Sequence, residues 1–426
     1  MTTAYTSTDL AERGGLERIG AIAVWHLIGL LALFSTSVFN LVAWNADKVT
    51  VELDSQVIIK LLVIAIAGIY GSIGFVTDPR VREVAFSFPA FCLLGIISVY
   101  FLASLAGIDA KTSLVSSISI LAVFLMTITA MIHLGRELTV EVLFWSAGTF
   151  VVLSWLVYLL VPSIGIMLEP ISDGEFKERM SGLAHPNTLG QYSAICVCLG
   201  TVLYLTCEQK NKWVLFVTLL AAAALLNSLC RTAMVATVVA LVVGYRHEIF
   251  SRRGTLLSLA GLFALGLVAV MYLSTQMSFE SLFSDKIQLL TKSGDTDELF
   301  TATGRGEIWA ETIRLIKQRP LLGYGPTSSK LLLGDYSLYT HNLILNVGLS
   351  AGVGALCLAV AMCFGRFCML FKRRHPVADT LVVLVLTAGF FENVIFSNIC
   401  GFPTICWIVG LVWFQAESAM SEEPNE

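Results

Sequence analysis

The chain has 426 residues, of which 56% are apolar and only 14% are charged, and its mean hydropathy is +0.79. A soluble protein carries about 25% charged residues, so this composition excludes a soluble protein and indicates a membrane protein. The 27 Lys and Arg against 31 Asp and Glu give a net charge of −4. That balance excludes a global basic field, and we expect no nucleic-acid partner.

Apolar runs of roughly 17 to 25 residues, long enough to cross about 30 Å of hydrocarbon as helices, recur along the chain. They predict an all-α polytopic membrane protein with about 12 transmembrane helices. The predicted spans are 20–42, 56–76, 87–107, 112–134, 141–162, 188–206, 212–228, 230–246, 254–274, 350–371, 378–397 and 401–416. The chain then divides into an N-terminal segment (1–19), helices 1–9 (20–274), a large loop (275–349), helices 10–12 (350–416) and an acidic tail (417–426).

Lys and Arg are concentrated in the N-terminal segment and in the even-numbered short connections, for example at Arg80, Arg82 and Lys372. By the positive-inside rule, both termini and these connections are predicted to be cytoplasmic. The large ninth connection is therefore predicted to lie on the opposite side of the membrane.

The large loop has the pattern of a folded segment. Residues 304–319 predict an amphipathic helix that ends at Pro320. Its predicted apolar face consists of Ile308, Trp309, Thr312, Ile313 and Ile316. Residues 336–346 are predicted to form a second short helix that approaches the membrane.

Two arginines on the predicted non-cytoplasmic side of the membrane are candidates for binding an anion. Arg231 lies in the predicted first turn of the eighth span, where Ser228 could cap the helix and amides would join the guanidinium in holding a phosphate. The alternative is that Arg231 extends to the lipid headgroups. Arg305 lies between Gly304 and Gly306, which permit close approach to a ligand, and the alternative is a solvated loop charge.

Two histidines and an asparagine are further candidates. His341 is suited to proton transfer near neutral pH, although a single histidine is commonly structural. His185 and Asn187 directly precede a span and could bind sugar hydroxyls, while Asn187 could equally cap that helix.

Acidic residues leave two questions open. Glu392, near the outer end of the eleventh span, could orient an acceptor or neutralise a nearby arginine. Asp295 and Asp297 resemble a pair of metal-binding carboxylates, but one DxD sequence in a Gly/Ser-rich loop is weak support, and we predict no metal and no cofactor.

The order of these motifs resembles the O-antigen ligase and polysaccharide polymerase family. The motifs are Asn187 before a span, Arg231-Thr-Ala233 at the head of a later span, Gly304-Arg305-x-x-x-Trp309, Pro320-Leu-Leu-Gly-Tyr-Gly325 and Thr340-His-Asn342. The resemblance covers residues 180–370, and the loop motifs are its most specific part. Thr340 stands where alanine is common, and Cys230 stands where serine is common.

The resemblance implies a GT-C-type fold in the bacterial inner membrane and a metal-independent glycosyltransferase with a periplasmic active site. The donor would be an undecaprenyl-diphosphate-linked glycan held by Arg231 and Arg305, and His341 would assist the hydroxyl of a glycan acceptor. Asn187, His185, Asn342, Trp309 and Glu392 are the expected substrate-binding residues. A flippase and a chain-length regulator are candidate partners beside the lipid bilayer.

Three functions stay open at this point. The segment Ala184–Gly190 favours a polymerase of repeat units over a ligase that transfers finished glycan to lipid A core. A transporter or flippase is the third, but transporters gather polar groups near the bilayer midplane. Here the candidates cluster at the outer face, and Lys60 and Arg366 are predicted to extend to an interface.

Overall fold

The structure is a computed structural model, and it describes residues 15–34, 55–170, 176–206, 210–250, 305–334, 339–393, 395–396 and 400–421. The helices before the β-hairpin are α1 (Gly15–Phe34), α2 (Ser55–Thr77), α3 (Pro79–Ala85), α4 (Phe88–Ala106), α5 (Ala110–Leu134), α6 (Arg136–Leu160) and α7 (Pro162–Gly165). The hairpin pairs β1 (Ile166–Pro170) with β2 (Phe176–Met180). The later helices are α8 (Pro186–Thr206), α9 (Lys212–Asn227), α10 (Arg231–Gly244), α11 (Arg246–Phe250), α12 (Arg305–Gln318), α13 (Ser329–Leu332), α14 (Leu343–Lys372), α15 (Pro376–Phe391) and α16 (Phe402–Ser421).

Each predicted span that the structure describes overlaps a helix, but α15 ends at Phe391, before the predicted end of the eleventh span at residue 397. Six described helices, α2, α4, α5, α6, α8 and α14, are long and apolar enough to cross a membrane. Four more, α1, α9, α10 and α15, are apolar but have shorter apolar stretches. The ninth predicted span, 254–274, lies outside the described residues. A polytopic membrane fold is thus confirmed, whereas the count of 12 spans and the GT-C assignment stay predictions.

One end of the helical bundle, which we call the basic end, contains Arg136, Arg246 and Arg366. Polar contacts at this end join the starts of some helices to the ends of others. Arg136, at the start of α6, forms an ion pair of 3.0 Å with Glu417 near the end of α16. Arg246, just after α10, donates to the carbonyl of Leu370 near the end of α14 and to Asp379 in the first turn of α15. The start of α6 thus lies beside the end of α16, and the ends of α10 and α14 lie beside the start of α15. The orientation of these helices in the membrane stays a prediction.

The predicted position of Arg366, at the basic end, is wrong. Arg366 was expected to extend to the interface, but its side chain is 1% exposed and pairs with Asp379, which is also 1% exposed, at 3.3 Å. Its Nε donates to the carbonyl of Gly410 on α16, at 3.0 Å. Arg366 is buried because α14, α15 and α16 supply a carboxylate and a carbonyl inside the bundle, where a paired charge can be accommodated.

The large loop returns to the other end of the bundle, which we call the site end. α12 forms as predicted and ends before Pro320, with Ile308, Thr312, Leu315 and Ile316 buried. Ile313, placed by periodicity on the apolar face, is instead 42% exposed. After α12, the N–H of Tyr324 donates to the carbonyl of Leu349 at 2.9 Å, and its carbonyl accepts from Ile108 at 3.1 Å. The loop is thus bonded both to α14 and to the connection between α4 and α5.

α14 contains a kink at Gly352, where φ is +77°. The N–H of Val353 donates to the carbonyl of Pro320 at 2.7 Å, so the loop contacts the helix at the kink. Residues 353–372 would span about 30 Å, which agrees with the predicted tenth span. The predicted helix at 336–346 is wrong, because residues 339–342 are not helical and α14 begins at Leu343.

Candidate active site

A carboxylate joins two of the predicted catalytic residues at the site end. Glu392 follows the last residue of α15, and its Oε1 accepts from Nη2 of Arg305 at 3.1 Å. Its Oε2 lies 3.2 Å from Nδ1 of His341. The side chains of Arg305, His341 and Glu392 are 18%, 25% and 13% exposed, so all three are partly open to solvent. Of the two roles left open for Glu392, pairing with an arginine is the one observed.

Each member of this cluster comes from a different segment. Arg305 is the first residue of α12, so the loop helix carries it to the bundle. Glu392 is placed by the end of α15, and the ring of the preceding Phe391 lies 5.9 Å from the Arg305 guanidinium carbon. A cation over an aromatic face adds a modest attraction that keeps the guanidinium in place.

His341 occupies a turn that its neighbours fix. Its φ is +49°, a conformation that non-glycine residues adopt only when the surroundings impose it. Asn342 caps α14: its Oδ1 accepts from the N–H of Leu345 and its Nδ2 donates to the carbonyl of Phe390, both at 3.0 Å. On the other side of His341, the carbonyl of Thr340 accepts from the indole N–H of Trp309 at 3.1 Å.

Asn342 and Trp309, predicted to bind substrate, thus make their polar contacts with the protein's own backbone. Trp309 also packs edge-on against Phe390, with ring centroids 6.0 Å apart. These contacts tie the His341 turn to both α12 and α15. Direct contact of either side chain with substrate stays a prediction.

Arg231 begins α10, as predicted, but its helix is not capped by Ser228. Ser228 is the C-cap of α9, and the residue at the N-cap of α10 is Cys230. α10 packs against α15, and Ala233 in the first turn of α10 lines the same pocket as Ala388 in the last turn of α15. The start of α10 is therefore close to the end of α15, which Glu392 follows. Arg231 itself is exposed.

His185 and Asn187 also lie at this end. α8 begins at Pro186, so Asn187 belongs to its first turn, and its Oδ1 accepts from Nη2 of Arg179 at 2.8 Å. Burial, with the positive charge of Arg179, lowers the pKa of His185. The imidazole is therefore neutral near pH 7, and its Nδ1 accepts from the N–H of Asn187 at 3.2 Å.

The β-hairpin is the part of the site end that the sequence analysis did not predict. Arg179 on β2 is 8% exposed and forms a 2.7 Å ion pair with Glu169 on β1. The available indication was Asp173-Gly174, a dipeptide typical of tight hairpin turns, between the short segments 166–170 and 176–180. Because the flanking runs are short, the segment reads from sequence as a connection between spans.

Some predictions concern residues outside those described. Asp295 and Asp297 are among them, as is most of the large loop before Arg305. Within the described ranges, no group of three or more His, Cys, Asp or Glu side chains is arranged to hold a metal ion.

Several apolar helices and a polar cluster at one end of the bundle define a multi-pass membrane protein. A family model described as O-antigen ligase matches residues 215–360, a range that includes Arg231, Arg305 and His341. The match supports the O-antigen ligase and polymerase family for this chain and confirms the predicted resemblance. The family implies a glycosyltransferase-like ligase or polymerase. No curated protein matches the chain.

Proposed function

We propose that the protein is a bacterial inner-membrane glycosyltransferase that polymerises undecaprenyl-diphosphate-linked repeat units at the periplasmic face. The observation that carries the proposal is the position of Glu392 between Arg305 and His341. A proton acceptor and a cation at hydrogen-bond distance from one carboxylate suit a reaction that removes a hydroxyl proton and releases a diphosphate.

In the proposed reaction, the acceptor hydroxyl attacks the anomeric carbon of the donor sugar. His341 takes the hydroxyl proton while Glu392 orients the imidazole. The new glycosidic bond forms as the bond from the anomeric carbon to the diphosphate oxygen breaks, and the lipid diphosphate leaves with the electron pair. Arg305 and Arg231 stabilise the charge on that leaving group, and a single displacement inverts the anomeric centre. The chemistry is proposed to need no metal.

A small apolar pocket lies among α8, α10, α15 and α16. The donor's lipid chain is proposed to pack against the helices that line it. The lining of the pocket includes Ala233, two residues after Arg231, and Ala388, four residues before Glu392. A lipid chain on this side of the bundle would lie close to the first turn of α10 and the last turn of α15. His185 and Asn187 are proposed to contact the sugars.

The remaining parts of the proposal concern topology and partners. Both termini are proposed to be cytoplasmic, because the basic connections lie at the end opposite Glu392. A flippase that supplies the donor and a chain-length regulator are the proposed partners. The alternative within the family is a ligase that transfers finished glycan to lipid A core, and the segment Ala184–Gly190 is the reason to favour the polymerase.

A transporter or flippase is the alternative from a different class. Transporters place polar groups near the bilayer midplane. Among the described residues, the Glu392 cluster lies at one end of the bundle, and the buried pair of Arg366 and Asp379 lies near the other. This arrangement supports an interfacial reaction.

The test is elongation by the purified protein in detergent, with a lipid-linked repeat unit and without any membrane gradient. We expect a ladder of longer lipid-linked products, and we expect Arg305→Ala to lower the rate on the order of 10² to 10³-fold at normal protein abundance. A deletion strain should accumulate single lipid-linked repeats. Normal polymerisation with unattached long chains would instead identify a ligase, and no transfer to any acceptor would contradict an enzyme.

A further inference from the structure

Arg179 makes three hydrogen bonds that join three separate segments. Its Nε donates to the carbonyl of Ser228 at 2.9 Å, its Nη1 to Glu169 at 2.7 Å and its Nη2 to Asn187 at 2.8 Å. The side chain is 9% exposed. One buried guanidinium therefore connects the hairpin, the first turn of α8 and the turn between α9 and α10.

The turn held by Arg179 directly precedes Arg231. It consists of Ser228, Leu229 and Cys230, and the φ of Leu229 is +51°. That conformation is unfavourable for a non-glycine residue and persists only when surrounding contacts enforce it. The bond from Arg179 to the Ser228 carbonyl is one such contact.

The close approach of α8 is another. A Cβ at Gly190 would collide with the Cβ of Cys230, so α8 can pack against this turn only because residue 190 is a glycine. The turn is thus held on one side by α8 and on another by the Arg179 guanidinium. The N–H of Cys230 also donates a hydrogen bond to Oγ of Ser228, at 3.4 Å.

The chemistry of the guanidinium explains why an arginine occupies this position. Its planar fork presents five donors in fixed directions, so it can bind a carboxylate, an amide oxygen and a backbone carbonyl at the same time. Glu169 balances the positive charge, which makes burial tolerable. A lysine would keep the charge but presents a compact ammonium on a flexible stem.

The other residue on this face of β2 also lies near Arg231. Lys177 is two residues before Arg179 and so points to the same side of the hairpin. Burial lowers the pKa of Lys177, and the nearby charge of Arg231 lowers it further. The hairpin face that carries Arg179 is therefore the face beside the start of α10.

We propose that Arg179 is a positioning residue, which fixes the Ser228–Cys230 turn and thereby the place from which Arg231 reaches the donor's diphosphate. The proposal rests on the proposed function for the role of Arg231, but the structural part of it stands on the contacts of Arg179 alone. Arg179 has no direct contact with the donor in this scheme.

The first experiment is a double-mutant cycle with Arg179→Gln, Arg231→Gln and both together. Purified proteins would be compared for donor KM and kcat with a lipid-linked repeat unit. We expect Arg179→Gln to lower kcat/KM for the donor on the order of 10²-fold, since small misplacements of a binding group have effects of this size. The double variant should be no worse than Arg231→Gln, because both changes remove the same interaction. Additive losses would overturn the proposal.

A second readout separates the positioning role from the proposed enzyme. Cys230 is buried, with 4% of the residue exposed, so thiol labelling followed by peptide mass spectrometry reports whether the turn has opened. We expect faster labelling of Cys230 in Arg179→Gln, with buried Cys198 on α8 as the internal standard. Unchanged labelling of Cys230 would overturn the positioning role. Faster labelling with no effect of Arg231→Gln on transfer would instead refute the assignment of Arg231.

Two further variants keep the test interpretable if Arg179→Gln fails to fold. Arg179→Lys retains the charge and should show the same coupling to Arg231 and the same increase in Cys230 labelling. Glu178→Gln is the matched control, because Glu178 is exposed on the opposite face of β2. This control should label and react like the parent protein.

Discussion

Glu392 has a different partner at each carboxylate oxygen, Arg305 at one and His341 at the other. Its side chain is 13% exposed, so water competes only partly for these contacts. The carboxylate can therefore do two things at once: it keeps the imidazole in one orientation, and it holds the guanidinium at the edge of the site. It bonds directly to both Arg305 and His341.

Glu392→Gln tests this role at the scale of one residue. The substitution keeps the shape of the side chain but replaces one oxygen by an NH2 group, which must face either the guanidinium or the imidazole. We expect transfer to fall on the order of 10²-fold, as for loss of one preorganised polar group. The measurement is the elongation rate of purified protein, normalised to folded protein.

The matched control is Glu311→Gln on α12, where the Glu311 side chain is 18% exposed. Glu311 forms an i,i+3 pair with Arg314, whose side chain is 59% exposed, and pairs of this kind contribute little. Its loss should leave elongation unchanged. Equal losses in the two variants would show that Glu392 has no special part in transfer.

At the scale of single elements, the kink in α14 determines where the loop meets the membrane helices. Gly352 has a φ of +77°, and a Cβ there would collide with the backbone of Leu321 and Pro320. The same kink allows the N–H of Val353 to bond to Pro320. The segment that follows α12 is thus bonded to the point at which α14 changes direction.

Gly352→Ala should therefore disturb both the kink and the loop seated on it. The strained backbone alone costs of order 1–3 kcal/mol, and the collision adds to it. We expect lower thermal stability and slower elongation, because α12 carries Arg305. Gly354→Ala is the control, since a Cβ at Gly354 meets nothing within 4 Å. A Gly352→Ala protein as stable and active as Gly354→Ala would refute the role of the kink.

The elements differ in how far the sequence predicted them. Hydropathy located the described spans because a lipid-facing backbone must be helical, whatever the neighbouring helices are. It gave neither the hairpin nor the kink at Gly352, since both depend on contacts between distant segments. Arg305 and His341 were predicted as site residues, whereas Arg179 was not, because its importance follows from Glu169, Asn187 and Ser228 meeting in space.

At the scale of the whole molecule, the charges are divided between two ends of one bundle. The Glu392 cluster is partly exposed at the site end, whereas Asp379 is almost fully buried between Arg246 and Arg366 at the basic end. Thirteen residues separate Asp379 from Glu392, which is about 20 Å along α15. The two clusters share that helix but have no residue in common. We therefore expect changes in the Glu392 cluster to lower the rate of transfer and changes at Asp379 to lower the stability of the fold.

Asp379→Asn tests this division. The change leaves the guanidinium of Arg366 buried without its carboxylate, and breaking a buried ion pair costs about 3–5 kcal/mol. We expect a clearly lower Tm in detergent and less folded protein, but an unchanged elongation rate per folded molecule. Glu417→Gln is the control at the same end: its pair with Arg136 is 45% exposed on the glutamate side, so the loss should be below about 1 kcal/mol. If Asp379→Asn kept its Tm and lost elongation, the two ends would be coupled through α15, and the assignment of the basic end to stability would be wrong.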